Sequence, residues 1–183
     1  VEEGVRYRVG RVKIEGLERT NPFVVERELE FHEGDLLDDE PLADTEAKLR
    51  KLGIFSSVGL ELEDNSEAPN IKDVKLRLQE TTPGIIGGGV GIRNDLGPRV
   101  FGEVGYLNLW RRNHSWSLSG NINRRFEDFH FAEYQLRMEY SWPWFIEKVT
   151  FRPELVQESR QFRFFDATTT TSAATFERQL LRK

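Results

Sequence analysis

From Ser115 to Asn123 the side chains alternate without a break: Trp116, Leu118, Gly120 and Ile122 fall on one face, and Ser115, Ser117, Ser119, Asn121 and Asn123 on the other. Ala132 to Trp142 repeats the pattern, with Ala132, Tyr134, Leu136, Met138, Tyr140 and Trp142 against Glu133, Gln135, Arg137, Glu139 and Ser141. A period of two belongs to a strand, because successive Cβ atoms point to opposite sides. Two such runs demand a sheet with one apolar face. Alternation alone does not say whether that face meets a protein core or lipid, since the polar face suits either the outside of a soluble sandwich or the inside of a membrane barrel. Run length and end chemistry favour the barrel. Each run has about ten to twelve residues, enough to cross a hydrocarbon layer when tilted about 45°. Aromatics gather at the ends, with Tyr106 and Trp110 before one turn, Trp116 after it, and Tyr140, Trp142, Trp144 and Phe145 around Pro143. That is the disposition of an interfacial girdle. The alternative is a soluble, aromatic-faced binding sheet.

Just before these strands, Gly84 to Asp95 (GIIGGGVGIRND) holds five glycines in the eight positions from Gly84 to Gly91. A dinucleotide-binding loop needs Gly-x-Gly-x-x-Gly entering a helix, yet counting from Gly87 or Gly89 puts Ile92 or Asn94 where the third glycine belongs. Arg93-Asn94-Asp95 supplies neither the lysine nor the hydroxyl of a nucleotide P-loop. A flexible linker would be polar, whereas the fillers here are Ile85, Ile86, Val90 and Ile92. The segment reads as a strand that packs weakly through its side chains.

Charge divides the 183-residue chain in two. Residues 1–80 carry 20 acidic and 12 basic side chains, and residues 81–183 carry 11 and 14. Seventeen of the aromatic residues lie in the second part, which places a boundary near Glu80-Thr81-Thr82-Pro83-Gly84. Domains are expected over 1–81 and 82–183. Neither part has the basic bias of a nucleic-acid binder. With no cysteine, disulfides and thiolate chemistry are excluded, and no apolar run of 18 residues offers a helical span. His32, His114 and His130 fall in expected turns without ligand-like spacing, and no Gly-x-Ser-x-Gly elbow is present. No catalytic residue, metal site or cofactor is expected.

In the first part, Tyr7 to Glu15 alternates as a strand. Asn21-Pro22 starts a helix through FVVEREL, with Asn21 as N-cap, Pro22 in the first turn, and Phe23, Val24 and Arg27 sharing a face. Asp38-Asp39-Glu40-Pro41 starts a second helix, with Leu42, Leu49 and Leu52 on one side and Gly53 at its C-terminal end. A hairpin follows: Phe55 leads a strand with Val58, Leu60 and Leu62 on one face, and Ile71 to Glu80 returns with Val74, Leu76 and Leu78 inward. The order is β-α-α-β-β.

Gly16, Thr20, Arg27-Glu28-Leu29, Gly34-Asp35, Leu52-Gly53, Phe55 and Val58 stand where the polypeptide-transport-associated (POTRA) pattern has them, so the first part resembles a POTRA domain. Each of these residues also has a core, cap or turn role, so any function must lie in backbone groups. The second part resembles the barrel start of the BamA/TamA-type outer-membrane assembly superfamily, through Gly89-x-Gly91, Asp95-x-Gly97-Pro98-Arg99, Asn108-Leu109 and the Trp142-Pro143-Trp144-Phe145 corner. About six strands are expected, at roughly 85–93, 99–109, 115–126, 131–142, 148–160 and 167–180. Closed membrane barrels need at least eight, so the chain reads as a fragment of a transmembrane β-barrel or a natural half-barrel, the fragment preferred, whose open edges would promote self-association.

The resemblance implies a bacterial outer-membrane location with the POTRA domain in the periplasm. The implied partners are unfolded outer-membrane or secreted polypeptides, outer-membrane lipid and periplasmic accessory proteins. It implies that Val58, Gly59, Leu60, Glu61, Leu62 and Glu63 form an edge strand that captures clients by strand addition. It further implies that Ile86, Gly87, Gly88, Gly89, Val90, Gly91 and Ile92 form a lateral-gate strand. The alternative within the superfamily is a two-partner secretion translocator.

Overall fold

The computed structural model describes residues 6–65, 68–94, 97–124, 126, 132–162 and 164–178. The chain forms two compact units, one running to Thr82 and the other beginning at Pro83.

The first unit contains β1 (Arg8–Glu15), α1 (Pro22–Glu26), α2 (Asp39–Lys51), β2 (Phe55–Asp64) and β3 (Ile71–Glu80), with sheet order β1-β3-β2. β1 runs parallel to β3, which requires a crossover, and the two helices supply it. β2 and β3 form an antiparallel hairpin. Val9, Val24, Val25, Phe31, Leu42, Leu49, Val58, Val74, Leu76 and Leu78 are buried in the core. α2 follows its sequence signals: the Asp38 side chain accepts from the Glu40 N–H, acids occupy the first turn and Lys48, Arg50 and Lys51 the last. Both charge placements favour the helix dipole. Its buried stripe is Leu42, Thr45 and Leu49, while Leu52 is half-buried at the C-cap.

α1 departs from expectation. It ends at Glu26 after five residues, Val24 and Val25 are buried, and Phe23 is 59 % exposed. One turn of helix cannot carry a repeating stripe, so adjacent residues enter the core instead. Gly16 has φ +89°, and a Cβ there would lie 1.8 Å from the Leu78 carbonyl oxygen. Only glycine fits.

The second unit is one antiparallel meander of β4 (Gly84–Arg93), β5 (Gly97–Leu109), β6 (His114–Asn123), β7 (Glu133–Ile146), β8 (Val149–Gln161) and β9 (Asp166–Arg178), hydrogen-bonded in sequence order. All six expected strands exist. Asp95 of the Asp95-x-Gly97-Pro98-Arg99 motif, His130 and the expected strand positions 125, 131, 179 and 180 lie outside the described residues. β7 does not stop at a corner: it runs through Pro143 to Ile146, with a register shift between Trp142 and Ile146 and Trp144 at φ 57°. A bulge leaves a residue outside the ladder, where proline's missing N–H costs nothing. His114 is likewise the first residue of β6 and not part of a turn.

Register turns alternation into rows. Ile86, Val104, Leu118, Met138 and Leu155 lie side by side across five strands, as do Val90, Val100, Ile122, Tyr134 and Ser159. Between them runs Gly88, Gly102, Gly120, Leu136 and Gln157. The opposite face carries Glu103, Ser119 and Arg137 in one row and Phe101, Asn121, Gln135 and Glu158 in another. The apolar face fades towards β9, where Thr168, Thr170 and Ser172 stand opposite Ser159, Gln157 and Leu155.

Candidate functional site

β2 is an edge of its sheet along its whole length, and its side chains divide by face. Val58 is buried, Gly59 and Leu60 are half-buried and Leu62 is exposed. Glu61 pairs with Arg77 at 2.9 Å, and Glu63 with Lys13 and Lys75 at 3.3 and 3.5 Å. The hydrogen bond from Lys13 and the charge of Lys75 hold the Glu63 carboxyl below its ordinary range. The other edge, β1, is partly covered. Residues 34–37 fold back on it, with Val9 N–H donating to the Asp35 carbonyl, Gly34 N–H to Val9 and Leu37 N–H to Tyr7. β2 is therefore the more open of the two templates for strand addition, because an unpaired edge presents donors and acceptors to an extended chain.

Two carboxylates missed in the sequence hold this domain in shape. Glu80 accepts from the N–H groups of Arg19 (2.8 Å) and Thr20 (2.7 Å). Burial pushes its pKa up, but these bonds and that of the Thr20 side chain outweigh it, leaving the group below the usual value. Asp73 accepts from Asn65 Nδ2 (2.9 Å) and the Arg11 N–H (3.0 Å), and both bonds lower its pKa. Its Oδ1 fills the space over Gly10 at the β1 irregularity, where a Cβ would sit 2.3 Å away.

β4 is an edge of the large sheet, and its glycines divide by what surrounds them. An added Cβ at Gly88 would meet the Phe101 carbonyl oxygen at 2.9 Å, and one at Gly89 the Phe101 ring at 2.8 Å. These two make room for β5. At Gly84, Gly87 and Gly91 a Cβ meets nothing within 4 Å, so packing gives no reason for glycine there. Ile86 is 91 % exposed, and Val90 and Ile92 are nearly as open.

The aromatic residues assemble at one end of the sheet. Tyr106, Trp116 and Tyr140 are cross-strand neighbours. Trp110 packs edge-on against His114 at 5.4 Å, Tyr140 Oη lies 2.6 Å from His114 Nδ1, and Trp142 packs edge-on against Phe145 at 4.9 Å. The chain of rings continues through Phe151 and Phe176, 5.2 and 5.0 Å apart in sequence of contact. Trp144 sits half-buried on the β7 bulge. His114, Phe151 and Phe176 were missed, although Val149, Phe151, Pro153 and Leu155 alternate with Thr150, Arg152 and Glu154. At the far end of β8, Phe162 and Phe165 stack at 4.9 Å across a turn closed by the Phe162 N–H to Phe165 carbonyl bond, and Phe164 is exposed. Eleven residues separate Phe151 from Phe162, about 36 Å along a strand and about 25 Å along a normal tilted about 45° to it. That matches the height of an outer-membrane apolar band. Among the described residues no group of three or more His, Asp or Glu is placed to hold a metal.

Residues 7–80 match the model of the family described as POTRA, surface antigen variable number repeat. Those residues are a POTRA domain. The outer membrane protein assembly factor BamA of Nitratidesulfovibrio vulgaris is 27 % identical over 121 residues, which is 66 % of this chain and 15 % of that protein. BamA from Haemophilus ducreyi lacking POTRA domains 1–3 shares the fold with a TM-score of 0.74 at 19 % identity, over 94 % of this chain and 32 % of that one. CdiB from Acinetobacter baumannii superposes with a TM-score of 0.65 at 16 % identity, over 97 % of this chain and 35 % of that one. Family, relative and fold agree on the BamA/TamA-type outer-membrane assembly superfamily. The chain thus spans under a sixth of the curated relative and about a third of each matched structure.

Proposed function

We propose that the chain is the C-terminal POTRA domain and first six barrel strands of an outer-membrane factor that inserts or translocates β-rich polypeptides, without a cofactor. One observation carries the reading: a POTRA domain leads within a few residues into an antiparallel meander that begins with the glycine-rich edge strand β4. The wall of Ile86, Val90, Val100, Val104, Leu136, Met138 and Leu155 faces lipid, and the polar rows line the lumen. Unfolded clients pair with the backbone of Val58–Glu63 in the periplasm and pass to β4, whose seam with the last strand of the complete barrel opens sideways. Exposed apolar rows of this extent disfavour a soluble binding sheet.

The test is reconstitution of the full-length protein in lipid vesicles with an unfolded barrel client and a photo-crosslinker at Gly59 or Ile86. Crosslinks at both positions with client insertion support assembly. Export of one dedicated client into the vesicle exterior, without insertion of general barrels, makes it a two-partner secretion translocator. Absence of client crosslinks at both positions overturns the reading.

A further inference from the structure

The edge strand β2 has a neighbour outside its sheet. Arg50, in the last turn of α2, donates from Nη2 to the Val58 carbonyl at 3.2 Å. The same guanidinium is held by Glu46, one turn earlier, whose Oε1 accepts from Nε (3.1 Å) and Nη2 (2.5 Å). Arg50 is therefore oriented by the protein before any client arrives, yet its side chain remains 62 % exposed. Glu46 engages Nε and Nη2, the Val58 carbonyl engages Nη2, and Nη1 takes part in none of these three bonds. Arginine's fork suits a carboxylate better than a lysine ammonium would, because its donors are fixed in one plane. The other end of the strand has the opposite sign: Glu61, Glu63 and Asp64 lie there, each paired with a cation of β1 or β3. The candidate edge thus has an arginine beside Val58 and carboxylates from Glu61 to Asp64, each within an ion pair.

We infer that Arg50 is a specificity-determining residue of the β2 edge, and that it selects extended segments bearing a carboxylate, from an Asp or Glu side chain or a chain terminus, where they pair beside Val58. This inference rests on the strand-addition reading of β2. An incoming carboxylate takes Nη1 and competes for Nη2, loosening Arg50 from the Val58 carbonyl, which then serves the client backbone. A segment without the carboxylate meets a carbonyl that already has a donor and gains nothing for displacing it. Arg50 both shields the end of the edge and reads the client.

The experiment uses the whole chain in detergent micelles and a set of ten-residue Val/Thr peptides in which a single Asp is walked through successive positions, each matched by an Asn peptide. Dissociation constants are measured for the native protein, Arg50→Gln and Leu60→Pro, with circular dichroism confirming that each is folded. The expected result is one Asp position that binds up to about fivefold tighter than its Asn partner at low salt, the ceiling for an exposed ion pair. Arg50→Gln should erase that difference and leave the Asn peptides bound as well or better. Equal binding of every Asp and Asn pair by the native protein, with both lost in Leu60→Pro, overturns the role of Arg50 and leaves strand addition standing. Binding that survives equally in folded Leu60→Pro, or no binding by any peptide, overturns strand addition itself and the Arg50 role with it.

Discussion

The glycines of β4 separate into two kinds, and that separation makes the seam testable. Gly88 and Gly89 face Phe101, so valine at either introduces a clash with β5. Gly87 and Gly91 face open space, so valine at both changes the strand's backbone freedom without a collision. Each glycine in a strand interior costs about 0.5–1 kcal/mol relative to alanine through the entropy lost on pairing. Replacing two should strengthen the pairing of β4 by about 1–2 kcal/mol, a factor of roughly 5–30 in an opening equilibrium. In the full-length protein, Gly87→Val/Gly91→Val should raise the urea concentration needed to unfold the barrel and slow client insertion into vesicles by up to that factor. Gly89→Val should slow insertion only through a destabilised barrel. A double variant that is stabilised as expected yet inserts client at the native rate would refute gate opening as the role of these glycines.

Three further outcomes follow from the same geometry. Leu136→Arg or Leu118→Arg, on the outward face, should block membrane assembly at a cost of about 2–4 kcal/mol near mid-bilayer, while Gln135→Arg on the other face assembles normally, as read by heat-modifiable migration. Leu60→Pro should abolish client crosslinking to β2 while Glu61→Ala leaves it intact, because proline removes a backbone donor and the Glu61–Arg77 pair is exposed. Glu80→Ala should destabilise the POTRA domain by about 1–2 kcal/mol through the two N–H groups it leaves unmet. Its folded carboxyl titrates below the ordinary 4.5, so the stability it adds is present above that value and lost as pH falls through the lower folded value. Urea unfolding of native and Glu80→Ala proteins should therefore converge in acid, and a difference that persists unchanged at pH 2 would remove the charged hydrogen bonds as its cause.

What the sequence showed depended on periodicity. Ser115–Asn123 and the run to Trp142 gave their faces directly, because a strand with one apolar side repeats every second residue. The α2 stripe was legible through Leu42 and Leu49 for the same reason. α1 was not, since one turn has no period to read, and Val25 rather than Phe23 entered the core. The passage of β7 through Pro143 was hidden because proline signals a break locally, while the bulge that tolerates it depends on the β8 partner. Glu80 and Asp73 look like surface acids in sequence. Their backbone N–H donors, those of Arg19, Thr20 and Arg11, are about sixty residues away in the chain and come close only when β1 pairs with β3. The aromatic cluster was half visible: tryptophans around Pro143 announced it, whereas Phe151 and Phe176 join only through register.

β9 is the strand in which that logic of faces gives out. From Ala167 to Ala174 it offers threonine, serine and alanine to both sides, so sliding it along β8 by a residue or two exchanges like for like in the middle of the sheet. Register is weakly specified in such a strand. What distinguishes one alignment from the next lies near one end, where Phe176 packs on Phe151 at 5.0 Å and Glu177 meets Arg152 at 2.6 Å. β9 can therefore dock first and align afterwards, like a bolt that slides freely until it meets its stop. The contacts that mark its alignment thus gather at the aromatic rim.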